Sequence, residues 1–162
     1  MRKLFLLFLL ISAFAFAQMP NVSKVWLNNS QFYSGTIGNS NTPLKLKILL
    51  SQQDRKNDQE YFVSGISVVE KNLSNFEGKL KISKYKSGKK RNTVFGEYDF
   101  AEEPRGKHSG TFKGKFVYTF KWNRKSETVE SQYLEFIGNW TSYDGTLTYK
   151  TNWSNQLKNN IR

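Results

Sequence analysis

The stretch from Gly110 to Trp122 limits the fold of this chain more than any other, because its residues alternate between two chemical classes. Lysine, threonine and valine occupy the odd positions from Thr111 to Lys121. The even positions are Phe112, Gly114, Phe116, Tyr118, Phe120 and Trp122. Successive side chains of a β-strand point to opposite faces of its sheet, whereas the helical period would mix the two classes. The stretch therefore predicts a long antiparallel strand with one aromatic, buried face and one solvated face.

The same alternation recurs along the chain, and no stretch shows a convincing helical period. The residues predicted to face inward are Tyr33, Gly35 and Ile37; Leu44, Leu46, Ile48 and Leu50; Phe76, Gly78, Leu80 and Ile82; Val94, Gly96, Tyr98 and Phe100; and Leu134, Phe136 and Trp140. For Tyr61 to Val69 the inward face stays open. Short polar connections favour an antiparallel up-and-down meander. We predict an all-β fold that closes into a roughly eight-stranded barrel, with a β-sandwich as the alternative. Glycines within the apolar faces favour the barrel.

The dipeptide Asp144-Gly145 is a strong hairpin signal between two of these strands. A two-residue turn there would place Trp140 opposite Tyr149 and Phe136 opposite Trp153. All four side chains then share the aromatic face, so the turn chemistry and the apolar pattern predict the same register.

The first residues are typical of a signal peptide, because a basic start precedes a short apolar run and an Ala-x-Ala-like site ending at Ala17. The run is shorter than a bilayer span, so no transmembrane anchor is expected. We predict a signal peptide over 1–17, a partly ordered segment over 18–30 and one barrel domain over 31–162. Within 18–30, Val25-Trp26-Leu27 is either a short strand or a plug. The chain has no cysteine, which fits a bacterial protein exported to the periplasm or the medium.

The chain is strongly basic, with a formal net charge of +12 that becomes +10 once Arg2 and Lys3 leave with the leader. Such a charge favours anionic partners, or it simply keeps the surface solvated. Five cations cluster at a predicted hairpin tip: Lys84, Lys86, Lys89, Lys90 and Arg91. They are candidates for contact with a polyanion, with Tyr85 stacking on a base or sugar. The alternative is a solvated turn whose lysines block edge pairing. No oligonucleotide-fold pattern accompanies the run, so no specific nucleic-acid partner is expected.

Residues suited to catalysis are sparse in this chain. His108 is the only histidine, and without cysteine neither a metal site nor a nucleophile–histidine pair is expected. Glu97 and Asp99 share one face of a strand, where paired carboxylates could serve glycoside hydrolysis. They lie opposite Tyr98 and Phe100, however, and should face solvent. Glu102 and Glu103 are expected in the adjoining loop. We therefore predict a protein that is not an enzyme and has no catalytic residue, metal or cofactor.

Glycine and aromatic spacing gives the chain a family resemblance. The segments concerned are Tyr33-Ser-Gly-Thr-Ile-Gly38 before Pro43-Leu44, Gly110-Thr-Phe-Lys-Gly114 and Gly138-Asn-Trp140. In these segments the chain resembles small exported bacterial β-barrel proteins of lipocalin-like or avidin-like shape. The resemblance covers roughly 31–153 and implies a fold without carrying over any catalytic residue or ligand motif.

The aromatic face suggests a binding function, since a barrel of this size can leave room for one small ligand at its mouth. The candidate ligand residues are Phe116, Tyr118, Phe120, Trp140, Tyr149 and Trp153. Core packing is the alternative use of each. We predict an exported, non-catalytic binding module for a small apolar or aromatic ligand. The alternative is a cationic interaction protein that docks to an anionic envelope partner or polyanion. The sequence leaves the oligomeric state open.

Overall fold

Eight β-strands form most of the chain in a computed structural model, which describes residues 21–106, 108–123, 125–126 and 128–156. The strands are β1 (Tyr33–Ile37), β2 (Thr42–Gln53), β3 (Glu60–Val69), β4 (Asn72–Lys86), β5 (Asn92–Glu102), β6 (Gly110–Asn123), β7 (Thr128–Ser142) and β8 (Thr148–Ser154). Each strand pairs with the next, β1 pairs antiparallel with β8, and the sheet closes into a barrel. The predicted barrel is confirmed and the sandwich alternative is wrong. The predicted signal peptide over 1–17 lies outside the described residues.

The aromatic residues of β6 from Phe112 to Tyr118 face the inside of the barrel, as the alternation predicts, but Trp122 near the end of the strand is 46% exposed, which corrects the prediction for that residue. Phe112, Phe116 and Tyr118 are buried, and Lys113 and Lys115 are exposed on the outer wall. In β3 the inward residues are the odd ones, including Tyr61 and Val63. The core is therefore rich in aromatic side chains. Burial of each large side chain stabilises the fold by roughly 1.5–3 kcal/mol.

Leu50 does not face inward, which corrects the prediction from the alternation. It is 54% exposed because the register of β2 against β3 shifts between Ile48 and Leu50. Such a β-bulge adds one residue to a strand and reverses which positions point inward beyond it. The bulge lies where the strand passes the end of the core.

A short N-terminal plug closes one end of the barrel. It consists of one helical turn, α1 (Ser23–Trp26), and a 3₁₀ turn over Asn28–Ser30. Trp26 is fully buried, and its ring meets those of Tyr61, Phe116 and Tyr118 edge-on at centroid distances of 5.7, 5.2 and 6.2 Å. The Tyr33 hydroxyl donates to the Trp26 carbonyl at 2.9 Å. Of the two alternatives for this segment, the plug is therefore correct.

Gly114 and Gly138 face each other across β6 and β7 where the wall bends sharply. A Cβ on Gly114 would lie 2.2 Å from the backbone oxygen of Ile137, closer than any side chain allows. The hydroxyl of Tyr98 fills the space beside Gly138, 2.7 Å from where a Cβ would be. These glycines permit the tight curvature on which barrel closure depends.

The β7–β8 hairpin has the predicted register, with Trp140 opposite Tyr149 and Phe136 opposite Trp153. Its loop is longer than the predicted two-residue turn, because the Ser142 N–H donates to the Leu147 carbonyl at 3.0 Å around four residues. A loop of two residues and a loop of four residues give the same pairs, because the longer loop takes one residue from each of the two strands. Gly145 supplies the left-handed conformation, with φ of +71°.

Candidate functional site

The middle of the barrel is filled by aromatic packing. Phe136 and Trp153 stack with ring centroids 3.6 Å apart, and the rings of Tyr33 and Tyr98 meet this pair edge-on. The Tyr98 hydroxyl and the Trp153 indole N–H have no hydrogen-bond partner among the described residues. Burial raises the pKa of Tyr98, and its contacts with Thr151 and Trp153 offset this in part. The centre is thus a packed core.

A cavity of about 120 Å³ lies at the barrel end opposite the plug, which we call the mouth cavity. It is formed by the ends of β1, β3, β5 and β7 and the starts of β4, β6 and β8. Its lining residues are Ile37, Ser67, Val69, Asn72, Ser74, Glu102, His108, Phe112, Trp140 and Tyr149. The Trp140 and Tyr149 rings stack with centroids 5.9 Å apart and planes inclined by 13°. Aromatic walls thus surround a space large enough for a small chemical group.

Among the described residues, Glu102 is the one acidic residue that lines the mouth cavity, and only 5% of its surface is exposed. Its Oε1 accepts a hydrogen bond from the Ser67 hydroxyl at 2.5 Å. Its Oε2 accepts from the Gly110 N–H at 3.1 Å and from the Trp140 indole N–H at 2.8 Å. The Glu102 side chain therefore links β3, β6 and β7 around one buried negative charge.

The backbone of Glu102 is held by Tyr143 from the β7–β8 loop. The Tyr143 hydroxyl donates a short hydrogen bond to the Glu102 carbonyl oxygen. Burial raises the pKa of the Tyr143 hydroxyl, and the Glu102 charge raises it further. Both the backbone and the side chain of Glu102 are thus fixed by neighbouring strands, as a pre-organised binding group requires.

The six aromatic residues predicted to bind a ligand lie at different heights in the barrel. Trp140 and Tyr149 line the mouth cavity. Trp153 is in the central core, and Phe116 and Tyr118 contact the plug. Phe120 stacks on Tyr118 at the plug end and is only partly buried. The structure brings two of the six together at a cavity and separates the other four from it.

The five predicted polyanion contacts lie together at the plug end of the barrel, which we call the basic hairpin. Lys84, Lys86, Lys89, Lys90 and Arg91 are all exposed on the ends of β4 and the turn that follows. None of them pairs with a carboxylate within the part of the chain that the structure describes. Lys86 lies over the Phe95 ring with its Nζ 5.5 Å from the centroid. Tyr85 is 54% exposed beside them.

Glu97 and Asp99 lie on the outer wall, exposed to solvent as predicted. Asp99 pairs with Lys113 at 2.9 Å. His108 is exposed in the loop between β5 and β6, where it borders the mouth cavity. Among the described residues, no three acidic or histidine side chains are grouped so that they could hold a metal ion. In the same residues, no helix has the length and apolar character needed to cross a membrane.

An open groove of about 1070 Å³ lies on the outer wall over β1 and β8. Its floor carries hydroxyl and amide side chains such as Ser34, Thr36 and Asn152, and its charged lining residues are Lys45 and Lys150. Among its described lining residues there is no carboxylate and no buried charge. The mouth cavity is smaller but holds the buried carboxylate, and we take it as the candidate site.

Sequence reasoning missed Glu102 and Ser67. We expected Glu102 in a loop, whereas it is the last residue of β5 and is buried. The signal was present, because Glu102 has the same parity as the inward residues Tyr98 and Phe100. Ser67 lies in β3, whose inward face the sequence left open.

The fold and site define an up-and-down β-barrel that is plugged at one end, with a carboxylate-bearing cavity at the other. No protein-family model, curated protein or solved structure matches the chain. The barrel shape agrees with the lipocalin-like or avidin-like resemblance, but membership of either family is not shown.

Proposed function

We propose that this protein is an exported, non-catalytic binding module that holds a small ligand in the mouth cavity. The observation that carries the proposal is the combination of a cavity, aromatic walls from Phe112, Trp140 and Tyr149, and a buried carboxylate. Ligand sites in proteins are mostly apolar concavities with a few fixed polar groups. The plug closes one end of the barrel and aromatic side chains fill its middle, so a ligand would enter at the mouth.

The size of the cavity limits the part of the ligand that it can enclose. A cavity of roughly 150 Å³ holds a benzene ring, and the mouth cavity measures about 120 Å³. Sites for whole drug-sized ligands are roughly 300–1,000 Å³. We therefore propose that the cavity takes a group no larger than one ring, while the rest of the ligand lies outside between the surrounding loops.

Native mass spectrometry of the protein isolated from its source tests the proposal, because a retained small molecule appears as a mass increment. The bound fraction should fall in Tyr149→Ala, which removes a wall of the cavity. It should persist in Tyr85→Ala, a matched change of an exposed tyrosine at the other end. Equal loss from both variants, or an increment that neither reduces, would contradict binding at the mouth.

A second candidate function is docking to an anionic envelope partner or polyanion through the basic hairpin. The observation that favours it is the group of five exposed cations without carboxylate partners among the described residues. Unpaired surface cations attract phosphate or sulfate groups, and salt weakens that attraction. The hairpin projects from the plug end, so both functions could coexist.

Binding to immobilised heparin tests the second candidate. One variant replaces four lysines of the basic hairpin with Gln: Lys84, Lys86, Lys89 and Lys90. This variant should elute from heparin at a much lower salt concentration than a variant that loses four positive charges elsewhere on the surface. The matched control changes Lys45, Lys71, Lys115 and Lys150 to Gln, all of which are exposed. Similar elution of the two variants would show that only net charge matters.

A further inference from the structure

We infer that the mouth cavity selects a ligand that carries a protonated amine, with the ammonium group placed against the Glu102 carboxylate. This inference rests on the proposed function, because it names the chemistry of the ligand at the same site. It starts from the charge of Glu102, which is 95% buried and pairs with no lysine or arginine among the described residues.

The hydrogen bonds to Glu102 leave room for one more donor. Two carboxylate oxygens offer about four acceptor positions. Three are used by the Ser67 hydroxyl, the Gly110 N–H and the Trp140 indole N–H. All three donors are neutral, so they orient the carboxylate without cancelling its charge. Buried charges in proteins are normally paired, and an ammonium group would supply both the missing donor and the missing positive charge.

The walls of the cavity favour the same ligand chemistry. Trp140 and Tyr149 stack on each other and line the cavity beside the carboxylate, and an outer face of such a ring pair attracts cations. No lysine or arginine lines the cavity within the described residues. A carboxylate or phosphate ligand would meet the Glu102 charge, and among the described lining residues the only basic side chain is that of His108. A neutral ring would fill the space but leave the carboxylate desolvated and one acceptor position unpaired.

Three compounds of nearly equal size separate these possibilities: benzylamine, benzyl alcohol and benzoate. Each joins one ring to one small polar group, and at neutral pH they are cationic, neutral and anionic. Each would be titrated into the full-length protein while the indole N–H resonance of Trp140 is followed by NMR. We expect benzylamine to bind at least about tenfold more tightly than benzyl alcohol, and benzoate to bind most weakly, as a buried charged hydrogen bond implies.

The Glu102→Gln variant removes the charge and keeps the shape, so the preference for benzylamine over benzyl alcohol should disappear. Glu103→Gln is the matched control, because it makes the same change in net charge at an exposed neighbouring residue and should keep the preference. Thermal melting shows whether Glu102→Gln folds. If it does not, Tyr149→Leu at a 40% exposed position provides the second variant. It should weaken benzylamine binding about two- to fivefold through loss of the ring face.

The outcomes distinguish the inference from the proposed function. Equal affinity of the amine and the alcohol, with Trp140 perturbed by both, would overturn the amine preference and leave binding at the mouth intact. Absence of any Trp140 perturbation by all three compounds would overturn both, and Glu102 would then serve only to link β3, β6 and β7. A preference that survives in folded Glu102→Gln would also refute the role of the carboxylate.

Discussion

The Trp26→Ala substitution should destabilise the whole barrel, although Trp26 belongs to a plug outside the eight strands. The indole is fully buried and contacts the rings of Tyr61, Phe116 and Tyr118. A tryptophan buries about 150–250 Å², which at roughly 25 cal/mol per Å² corresponds to about 4–6 kcal/mol as an upper bound. We expect the plug to act as part of the core.

One feature of Trp26 lowers the expected loss. Its indole N–H has no hydrogen-bond partner among the described residues. An unpaired buried donor costs about 1–3 kcal/mol, which the alanine variant no longer carries. The net loss should therefore be about 1–5 kcal/mol, centred on about 3 kcal/mol, which is the lower limit of the range for Trp→Ala changes in cores.

Urea unfolding followed by far-UV circular dichroism measures this loss without depending on tryptophan emission. Trp26→Ala should lower the midpoint concentration at an unchanged slope, since the surface exposed by unfolding barely changes. Trp122→Ala is the matched control, because Trp122 is 46% exposed on β6. It should cost less than about 1 kcal/mol. A Trp26→Ala loss no larger than the control would refute the reasoning and show that the plug detaches before the barrel unfolds.

Further predictions concern the wall, the core and the titration of single groups. Gly114→Ala should cost about 1–3 kcal/mol or more in urea unfolding, because its Cβ would meet the Ile137 backbone oxygen at 2.2 Å. Tyr98→Phe should be neutral or stabilising by up to about 1 kcal/mol in the same assay, since it removes a buried hydroxyl without a partner in the described chain. Burial raises the pKa of Tyr118 from 10.0 to about 12. The contribution of Tyr118 to the free energy of unfolding should therefore be complete below pH 10 and fall as the pH rises toward 12, in step with tyrosinate absorbance. Hydrogen bonds, chiefly from the Ser142 hydroxyl and then from Thr146, lower the pKa of Asp144 from 3.8 to about 2; in Ser142→Ala the NMR titration midpoint of Asp144 should rise toward 3.8.

The alternation of the sequence predicted which residues face inward, because one buried face of a strand imposes a period of two. The residues of β6 and the β7–β8 register follow from this pattern. It failed at Leu50, where a bulge adds a residue that the composition of β2 does not reveal, and at Trp122, which is exposed near the end of β6. Bulges depend on where a strand leaves the core, which is a property of the closed barrel.

The same limit explains why alternation alone did not separate the six predicted ligand residues by their position along the barrel. Alternation places Phe116, Trp140 and Trp153 on the inner face but does not give their height along the barrel axis. Height depends on strand stagger and on the plug, which together leave Trp140 at the mouth and Phe116 against Trp26. Glu102 was missed for a different reason. A carboxylate next to a proline-containing loop is usually solvated, and only its three donors explain its burial.

The response to salt should separate the two proposed binding sites, because they lie at opposite ends and carry opposite charges. The protein is cationic, so at low salt its overall field repels an approaching amine and attracts a polyanion. Added salt screens long-range interactions between exposed charges but reaches the buried Glu102 carboxylate much less. Benzylamine affinity should therefore stay constant or rise slightly between about 50 and 200 mM salt, whereas heparin binding at the basic hairpin should fall steeply over that range. Benzylamine affinity that fell in parallel with heparin binding would indicate an exposed electrostatic contact and would contradict an ammonium group held against Glu102.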